Sequence, residues 1–362
     1  MIAFVVLLIV LALAAQYILT RDSLSHVQED FYPEETVADP GQTFYLNLSL
    51  TNTGRRYLPF LRVSLFLQEE IQPMDRTHCT ESRAQGGSAV SYSTWLRPHQ
   101  RMEFRLPVQI SRRGRYVFRP MNVYGGDFLG LSEQSRQLDR FREVVIAPEE
   151  APEEEVTAAL GGFLGEISVN RFLYEDPVLT VGFRDYTGQE PMKMISWTQS
   201  ARGHGLMVKN YDYTIEPRVS VLVNADTRGI SCPKALEACF SLARTVCRML
   251  EDRRIPYDLT ANAASAGGWG DPDGLLVRQG LGAVHFGQVL ELLGRATHIA
   301  STSAGLFLER AAGSGTVCSR ILITPEAGMP TAEHIARLRE ASGGSLLVLT
   351  ARAEPEEEAD PS

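Results

Sequence analysis

The segment from residue 183 to residue 209, which we call the signature segment, carries the side chains best suited to bind another molecule. Its cations and the acids near them are Arg184, Asp185, Glu190, Lys193, Arg202, Lys209 and Asp212. Cations that converge on one point could bind an anion, whereas cations paired with acids would form an ion-pair lock between two domains. Because the two charges nearly balance, we predict the lock, with Trp197 packed beneath it. Ser200 and Ala201 would allow the backbones to approach closely.

Motifs of the common hydrolases and nucleotide-binding enzymes are missing from the sequence. It contains no Gly-x-Ser-x-Gly, no His-Glu-x-x-His and no Walker lysine motif. Its seven histidines never occur at metal-ligand spacing. We therefore predict a protein that is not an enzyme and that needs no cofactor, metal or small-molecule substrate. An enzyme acting at the signature segment is an alternative, and it would need Arg184, Tyr186 and Arg202 to converge on one pocket.

Length and composition predict two folded domains. The chain has 362 residues, of which 44% are hydrophobic and 22% charged, and this is enough for two cores. The formal net charge of −9 argues against nucleic acid as a partner, because phosphate contacts need clusters of Lys and Arg. The five cysteines form no CxxC pair, which is typical of a reducing compartment.

Residues 30–148 are predicted to form an all-β sandwich of immunoglobulin-like character. Apolar and polar side chains alternate with period two in several runs, among them 44–50, 61–67 and 102–110. Evenly spaced strands that have one apolar face, with no helical segment between them, indicate an antiparallel sandwich.

Residues 160–350 are predicted to form a second domain, which begins with the signature segment and continues as alternating strands and helices. Val219 to Val223 is a continuous apolar run typical of a buried strand, and residues 233–253 have the pattern of an amphipathic helix. This order predicts an α/β domain with a mostly parallel sheet covered on both faces. Two acidic stretches lie outside the domains: residues 149–159 as a linker and residues 351–362 as a disordered tail.

Residues 1–20 are predicted to form one transmembrane helix. Met1 to Leu19 contains no charged side chain and is long enough to span a hydrocarbon core of about 30 Å. A signal peptide is the competing interpretation, but the basic region that would begin it is missing. Arg21 follows the apolar run, and the positive-inside tendency then places the body of the protein in the cytoplasm. The predicted location is a membrane that the chain crosses once.

The order of residues in the signature segment resembles the signature of the bacterial domain of unknown function 58 family. The matching positions are Arg184, Asp185, Tyr186, Gly188, Pro191, Lys193, Ile195, Trp197, Ser200, Ala201 and Arg202. Gln189, Lys193 and Lys209 stand where the family usually has Asp, Arg and often Arg. The resemblance implies a bacterial cell-membrane protein with a cytoplasmic body and a C-terminal half similar to a von Willebrand factor A-like domain. The matching residues would have a structural or partner-binding role.

Metal-binding domains of that fold carry Asp-x-Ser-x-Ser after the first strand, because a hard divalent cation needs carboxylate and hydroxyl oxygens. The resemblance places Asn224, Asp226 and Arg228 at these positions. Arg228 would bring a positive charge towards the cation, so we predict degenerate positions without a working metal site. Asn224 and Asp226 would instead form a turn and the entry to a helix.

Members of the family accompany MoxR-type AAA+ ATPases, and the resemblance therefore implies such an ATPase as the partner. The leading prediction is a membrane-tethered, non-enzymatic scaffold or adaptor that couples the ATPase to a membrane client or assembly process. The alternative from another class is an outward-facing, metal-dependent adhesion or binding module. That alternative requires the opposite topology and a working cation site, which titration with Mg²⁺ would detect.

Overall fold

The computed structural model describes most of the chain. The described residues are 4, 6–7, 24–82, 86–119, 121–126, 133–138, 141–170, 180–188, 192–202, 205–211, 218–268, 274–314, 318–343 and 345–351. The chain divides into two compact units. The first unit is Met1–Glu149 with Leu293–Arg295, and the second is Glu150–Leu292 with Ala296–Ser362.

The predicted single-pass membrane location is not supported and is withdrawn. Among the described residues, no helix is both long enough and apolar enough to cross a membrane. The longest described helix, at Pro233–Asp252, has 20 residues and six charged side chains, so it is amphipathic. The segment 1–20, on which the prediction was based, lies outside the described residues except for Phe4, Val6 and Leu7.

The described part of the first unit folds as strands in three sheets. One sheet has the order β1 (Val27–Pro33), β3 (Thr43–Asn52), β8 (Arg101–Ile110) and β5 (Ile71–Pro73). The second has the order β11 (Glu133–Leu138), β10 (Met121–Gly126), β4 (Leu58–Gln68), β7 (Gly87–Leu96) and β6 (Cys79–Ser82). The third has the order β2 (Val37–Ala38), β12 (Arg142–Ile146) and β9 (Gly114–Phe118). All pairings are antiparallel except that of β2 with β12.

The core of the first unit comes from the alternation of apolar residues along these strands. On β4, Leu61, Val63 and Leu65 point inward and are buried, while the residues between them are partly exposed. Phe31 and Phe118 meet edge to face in this core, with their ring centroids 5.5 Å apart.

The second unit begins with α1 (Glu153–Asn170), β13 (Thr180–Asp185), a 3₁₀ turn at Met192–Met194, the short helix α2 (Trp197–Ser200) and β14 (Met207–Tyr211). It continues with β15 (Val219–Val223), α3 (Pro233–Asp252), β16 (Tyr257–Ala261), β17 (Ala263–Ser265) and β18 (Leu275–Gly280). The last elements are α4 (Ala283–Arg295), β19 (Ala296–Ala300), α5 (Ala304–Ala312), β20 (Ser319–Pro325), a 3₁₀ turn at Glu326–Gly328, α6 (Ala332–Ala341) and β21 (Leu346–Ala351). The last three residues of α4 are grouped with the first unit.

Five of these strands form a mixed sheet in the order β18-β16-β15-β20-β21. The pairs β15–β16, β15–β20 and β20–β21 are parallel, and β16–β18 is antiparallel. All five residues of the central strand β15 are buried. Leu222 and Leu322 form a cluster with Phe307 and Leu308 of α5 and Leu338 of α6.

The predicted fold class is wrong. The described chain is mostly β-structure, divided among six sheets with six α-helices, and it has no clear von Willebrand factor A-like fold. The prediction missed β18, which returns antiparallel to β16, and the pair β17–β19, which forms a separate two-stranded sheet. The reason is that Leu275 and Val277 form too short an apolar alternation to be recognised beside a glycine-rich stretch.

Candidate functional site

The signature segment folds as an antiparallel hairpin whose second strand has a further neighbour. In the pairing of β13 with β14, Arg184 lies opposite Val208, and the N–H of Tyr186 donates to the carbonyl of Leu206 at 2.8 Å. On the other edge of β14, a β-bridge joins Ile195 to Val208. Both residues of this bridge are buried. Strand β14 is thus held on both edges.

Ser200 ties the short helix α2 to β14. Its hydroxyl donates to the carbonyl of Ser196 at 2.9 Å and accepts from the N–H of Met207 at 2.9 Å. The N–H of Ser196 donates to the carbonyl of Met207 at 2.8 Å. A small hydroxyl residue is required at position 200 because its oxygen serves as both acceptor and donor.

The hairpin exposes four large apolar side chains. Met192 is 71% exposed, Trp197 60%, Leu206 44% and Phe183 41%. The prediction that Trp197 packs beneath an ion-pair lock is therefore wrong. Trp197 lies on the first turn of α2. This helix is attached to the hairpin by the Ile195–Val208 bridge and by the hydrogen bonds of Ser200, and not by Trp197.

The charged residues of the signature segment are also exposed. Arg184, Asp185, Lys193 and Arg202 are exposed, and Arg202 donates to Gln199 Oε1 at 3.5 Å. Gly188 turns the chain with φ of 92°, a backbone conformation that favours glycine. Pro191 and the acids Glu190 and Asp212 lie outside the described residues. The lock between domains stays a prediction.

Asn224, directly after β15, is the centre of a buried hydrogen-bond network. Its Nδ2 donates to Thr324 Oγ1 and to the carbonyl of Gly328, both at 3.0 Å. Its Oδ1 accepts from the N–H of Asp226 at 3.0 Å and from Nδ2 of Asn262 at 2.9 Å. The side chains of Asn224, Asn262 and Thr324 have no exposed surface. The network joins the carboxyl ends of three adjacent parallel strands, β16, β15 and β20.

Asp226 uses both carboxylate oxygens to accept backbone N–H groups. One oxygen accepts from the N–H of Arg228 at 2.9 Å, which closes a turn, and the other accepts from the N–H of Ala304 at 2.9 Å, at the start of α5. The guanidinium of Arg228 donates to the carbonyl of Met329. Arg228 has φ of 53°, in the left-handed region.

The side-chain oxygens at the degenerate metal positions are thus engaged by N–H groups. Within the described ranges, no three His, Cys, Asp or Glu side chains lie close enough together to hold a metal ion. The network can fix the loops at the end of the sheet, and the absence of a working metal site stays a prediction. Sequence reasoning missed Asn262, Thr324 and Gly328. The signal that could have found the first two is a polar residue at or directly after the end of a buried strand.

At the opposite end of β16, the partly buried carboxyl of Asp258 is expected to make the stability of the second unit depend on pH. Burial raises the pKa of Asp258, while a 2.7 Å hydrogen bond from Ser220 Oγ and the charge of Arg320 oppose the rise. Since the folded pKa lies above the ordinary value of 3.8, the stability contribution of this group is present below that value and is lost as pH rises through the folded pKa.

We therefore expect Asp258→Asn to remove part of the pH dependence of unfolding. The stability of the parent chain relative to this variant should rise as pH falls from about 7 towards about 4. Urea denaturation of both proteins across this range measures the difference. Ser220→Ala is the matched control, because loss of its hydrogen bond should make the dependence steeper. A difference between parent and Asp258→Asn that stays constant with pH would contradict the expectation.

No family model and no curated protein matches the chain. Solved structures resemble about a third of it. The cohesin module of a family 33 glycoside hydrolase from Clostridium perfringens is 12% identical, covering 33% of this chain and 96% of that chain, with a TM-score of 0.23. A type II cohesin domain from the cellulosome of Acetivibrio cellulolyticus is 8% identical, covering 33% and 94%, with a TM-score of 0.25. TM-scores this low carry no argument about the fold or function of this chain.

Proposed function

We propose that this protein is a non-enzymatic adaptor that binds a partner protein through the signature segment. The observation that supports this is the exposure of Trp197 and Met192 on a hairpin that hydrogen bonds hold in place. Exposed apolar surface is unfavourable in water, and a partner that covers it would gain free energy. A tied-down hairpin would also lose little conformational entropy on binding.

The composition of this surface fits protein recognition. Trp, Met and Arg are enriched at protein interfaces, and tryptophans often contribute most of the binding free energy. Trp197 and Met192 would be covered by the partner, while the exposed cations Arg184, Lys193 and Arg202 would remain at a polar rim. The cations would mainly speed association with a partner that carries acidic groups.

The partner we propose is a MoxR-type AAA+ ATPase. This choice is based on the resemblance of the signature segment to the domain of unknown function 58 family, whose members accompany such ATPases. An adaptor of this kind would hold the ATPase next to a client or an assembly process. The chemistry would then belong to the ATPase, and the signature segment would supply the docking surface.

Trp197→Ala tests the proposal. We expect its affinity for a MoxR-type ATPase from the same cells to fall by about thirtyfold or more, since truncating a central tryptophan costs about 2 kcal/mol or more. Biolayer interferometry with the full chain immobilised measures the affinity. The melting temperature should change little, because this indole is 60% exposed.

Ile230→Ala is the matched control for that experiment. Ile230 is a 57% exposed apolar residue of the same unit outside the signature segment, so its truncation should leave the affinity unchanged. Equal affinities of the parent chain and Trp197→Ala would contradict docking through the signature segment. Failure of the parent chain to bind the ATPase would contradict the choice of partner.

A further inference from the structure

One sheet of the first unit has an outer face on which arginines stack on aromatic rings. The inward residues of β4 are buried, and the outward positions carry Phe60, Arg62, Ser64 and Phe66, which are all half-buried. On the neighbouring strands, Tyr124 of β10 and Ser93 of β7 lie opposite Arg62. At about 3.3 Å per residue, Phe60 and Phe66 are about 20 Å apart. We call this surface the outer arginine face.

Three guanidinium groups of this face and its ends lie over rings. The Cζ of Arg62 is 4.9 Å from the ring centroid of Tyr124 and 5.9 Å from that of Phe60. The Cζ of Arg119 is 5.1 Å from the ring of Phe66. At the other end, Arg97 lies 5.4 Å from the ring of Trp95, which also contacts Tyr57 at a centroid distance of 6.0 Å. Stacking uses the face of a guanidinium group and leaves its N–H edge to donate. On Arg62, Nη2 already donates to Glu133 at 2.7 Å.

Stacked arginines outnumber carboxylates on the outer arginine face and at its ends. Glu133 is the single carboxylate at outward positions of the described residues of β4, β7, β10 and β11, and it pairs with Arg62 at 2.7 Å. The three stacked arginines thus outnumber the one carboxylate at outward positions of these strands, in a chain whose formal net charge is −9, and the exposed Glu69 and Glu70 follow β4 at the Phe66 end. Serines and Asn122 separate the arginines, so hydrogen-bonding groups lie between the charges.

We infer that the outer arginine face is a second docking surface and that it binds an acidic segment of a partner protein. Carboxylates match the planar donor edge of a stacked guanidinium, and the length of about 20 Å between Phe60 and Phe66 would accommodate an extended segment of about six residues. Aromatic rings beside arginines are the composition typical of protein interfaces. The inference goes beyond the proposed adaptor function, because it concerns the other unit of the chain.

Nucleic acid fits the same surface less well. The rings of Tyr124, Phe66 and Trp95 are already partly covered by guanidinium groups, which leaves little ring surface for bases to stack on. Three arginines along about 20 Å would release few counterions, and the acidic chain as a whole would repel phosphates.

The test is the binding of a fluorescent glutamate-rich peptide to the full chain, followed by anisotropy at low ionic strength. We expect saturable binding that weakens with added salt. The double variant Arg62→Gln/Arg119→Gln should bind the peptide at least tenfold more weakly. The control Arg101→Gln/Arg105→Gln removes the same charge from a different sheet, where Arg105 lies 4.4 Å from the ring of Tyr45, and it should bind normally.

The outcomes separate this surface from its alternatives. Trp197→Ala should leave the peptide affinity unchanged, which distinguishes this surface from the signature segment. Equal weakening in both double variants would show a response to net charge alone and would overturn the inference. A single-stranded oligonucleotide that binds more tightly than the peptide would also overturn it. Thermal unfolding of each variant checks that a loss of binding does not come from a loss of folding.

Discussion

At about pH 7, we expect the Asn224→Asp variant to be about 3–5 kcal/mol less stable than the parent chain. The introduced carboxylate would keep the acceptor side of Asn224, where N–H groups point. Its second oxygen would face the carbonyls of Gly328 and Asp226, which are 3.0 and 3.3 Å from the present nitrogen. The Thr324 hydroxyl could turn to donate to that oxygen, but two carbonyl oxygens would still repel a charge that has no access to water.

The loss should depend on pH, and this dependence identifies its cause. Burial would raise the pKa of the introduced carboxyl above its unfolded value, so the penalty should be present above that folded pKa and should shrink as pH falls below it. Urea denaturation at about pH 7 and about pH 4.5 measures this, with the parent chain as reference at each pH.

Asn224→Ala is the control for that pH dependence. It removes the hydrogen bonds without adding a charge, so its loss of stability should be the same at both pH values. A pH-independent loss in Asn224→Asp would contradict the described network. Recovery of the parent stability by Asn224→Asp on addition of Mg²⁺ would also contradict the described network. The oxygens around residue 224 would then be free to bind a cation.

The second large effect is expected from Gly328→Ala. A Cβ at this position would overlap the carbonyl oxygen of Asp226. That oxygen belongs to the backbone of a residue whose N–H donates to Asn224 Oδ1. Backbone of this kind cannot yield as the end of a flexible side chain does. We expect the free energy of unfolding to fall by about 3 kcal/mol or more, the upper part of the range for overpacked sites.

Gly287→Ala provides the contrast for this prediction. Gly287 lies inside α4, and an added Cβ would meet no atom within 4 Å apart from its chain neighbours and the backbone of its own helix, so alanine should raise stability by about 0.5–1 kcal/mol. Denaturant unfolding of both variants measures the two shifts. A Gly328→Ala variant as stable as the parent chain would mean that the loop at residues 326–329 does not approach Asp226 as described.

Local patterns predicted many elements but not how they assemble. Alternation of apolar residues indicated β3, β4 and β8, and the apolar stripe of residues 233–253 indicated α3, which is present at Pro233–Asp252. These elements depend on which side chains face a core, and the spacing of apolar residues in the sequence indicates this. The antiparallel pairing of β18 with β16 and the separate β17–β19 sheet depend on contacts between segments that are apart in the sequence. Apolar periodicity does not report such contacts, and the predicted fold class is therefore wrong.

The candidate site was predicted less well for the same physical reason. The family resemblance singled out Asn224 and Asp226, but their partners Asn262, Thr324 and Ala304 lie 38, 100 and 78 positions away in the chain. The exposure of Trp197 was also not predictable, since a large aromatic residue in a run with Met and Ile usually indicates burial. An exposed indole is instead typical of a binding surface.

Amide hydrogen exchange of the full chain, with and without a MoxR-type ATPase, tests most directly whether the signature segment is the docking surface. We expect the ATPase to slow exchange in peptides that span residues 192–202 and 205–211, where the exposed apolar residues and β14 lie. Peptides from α3 should exchange at the same rate in both samples. Unchanged exchange across 192–211, under conditions in which the ATPase is bound, would contradict the proposed docking surface.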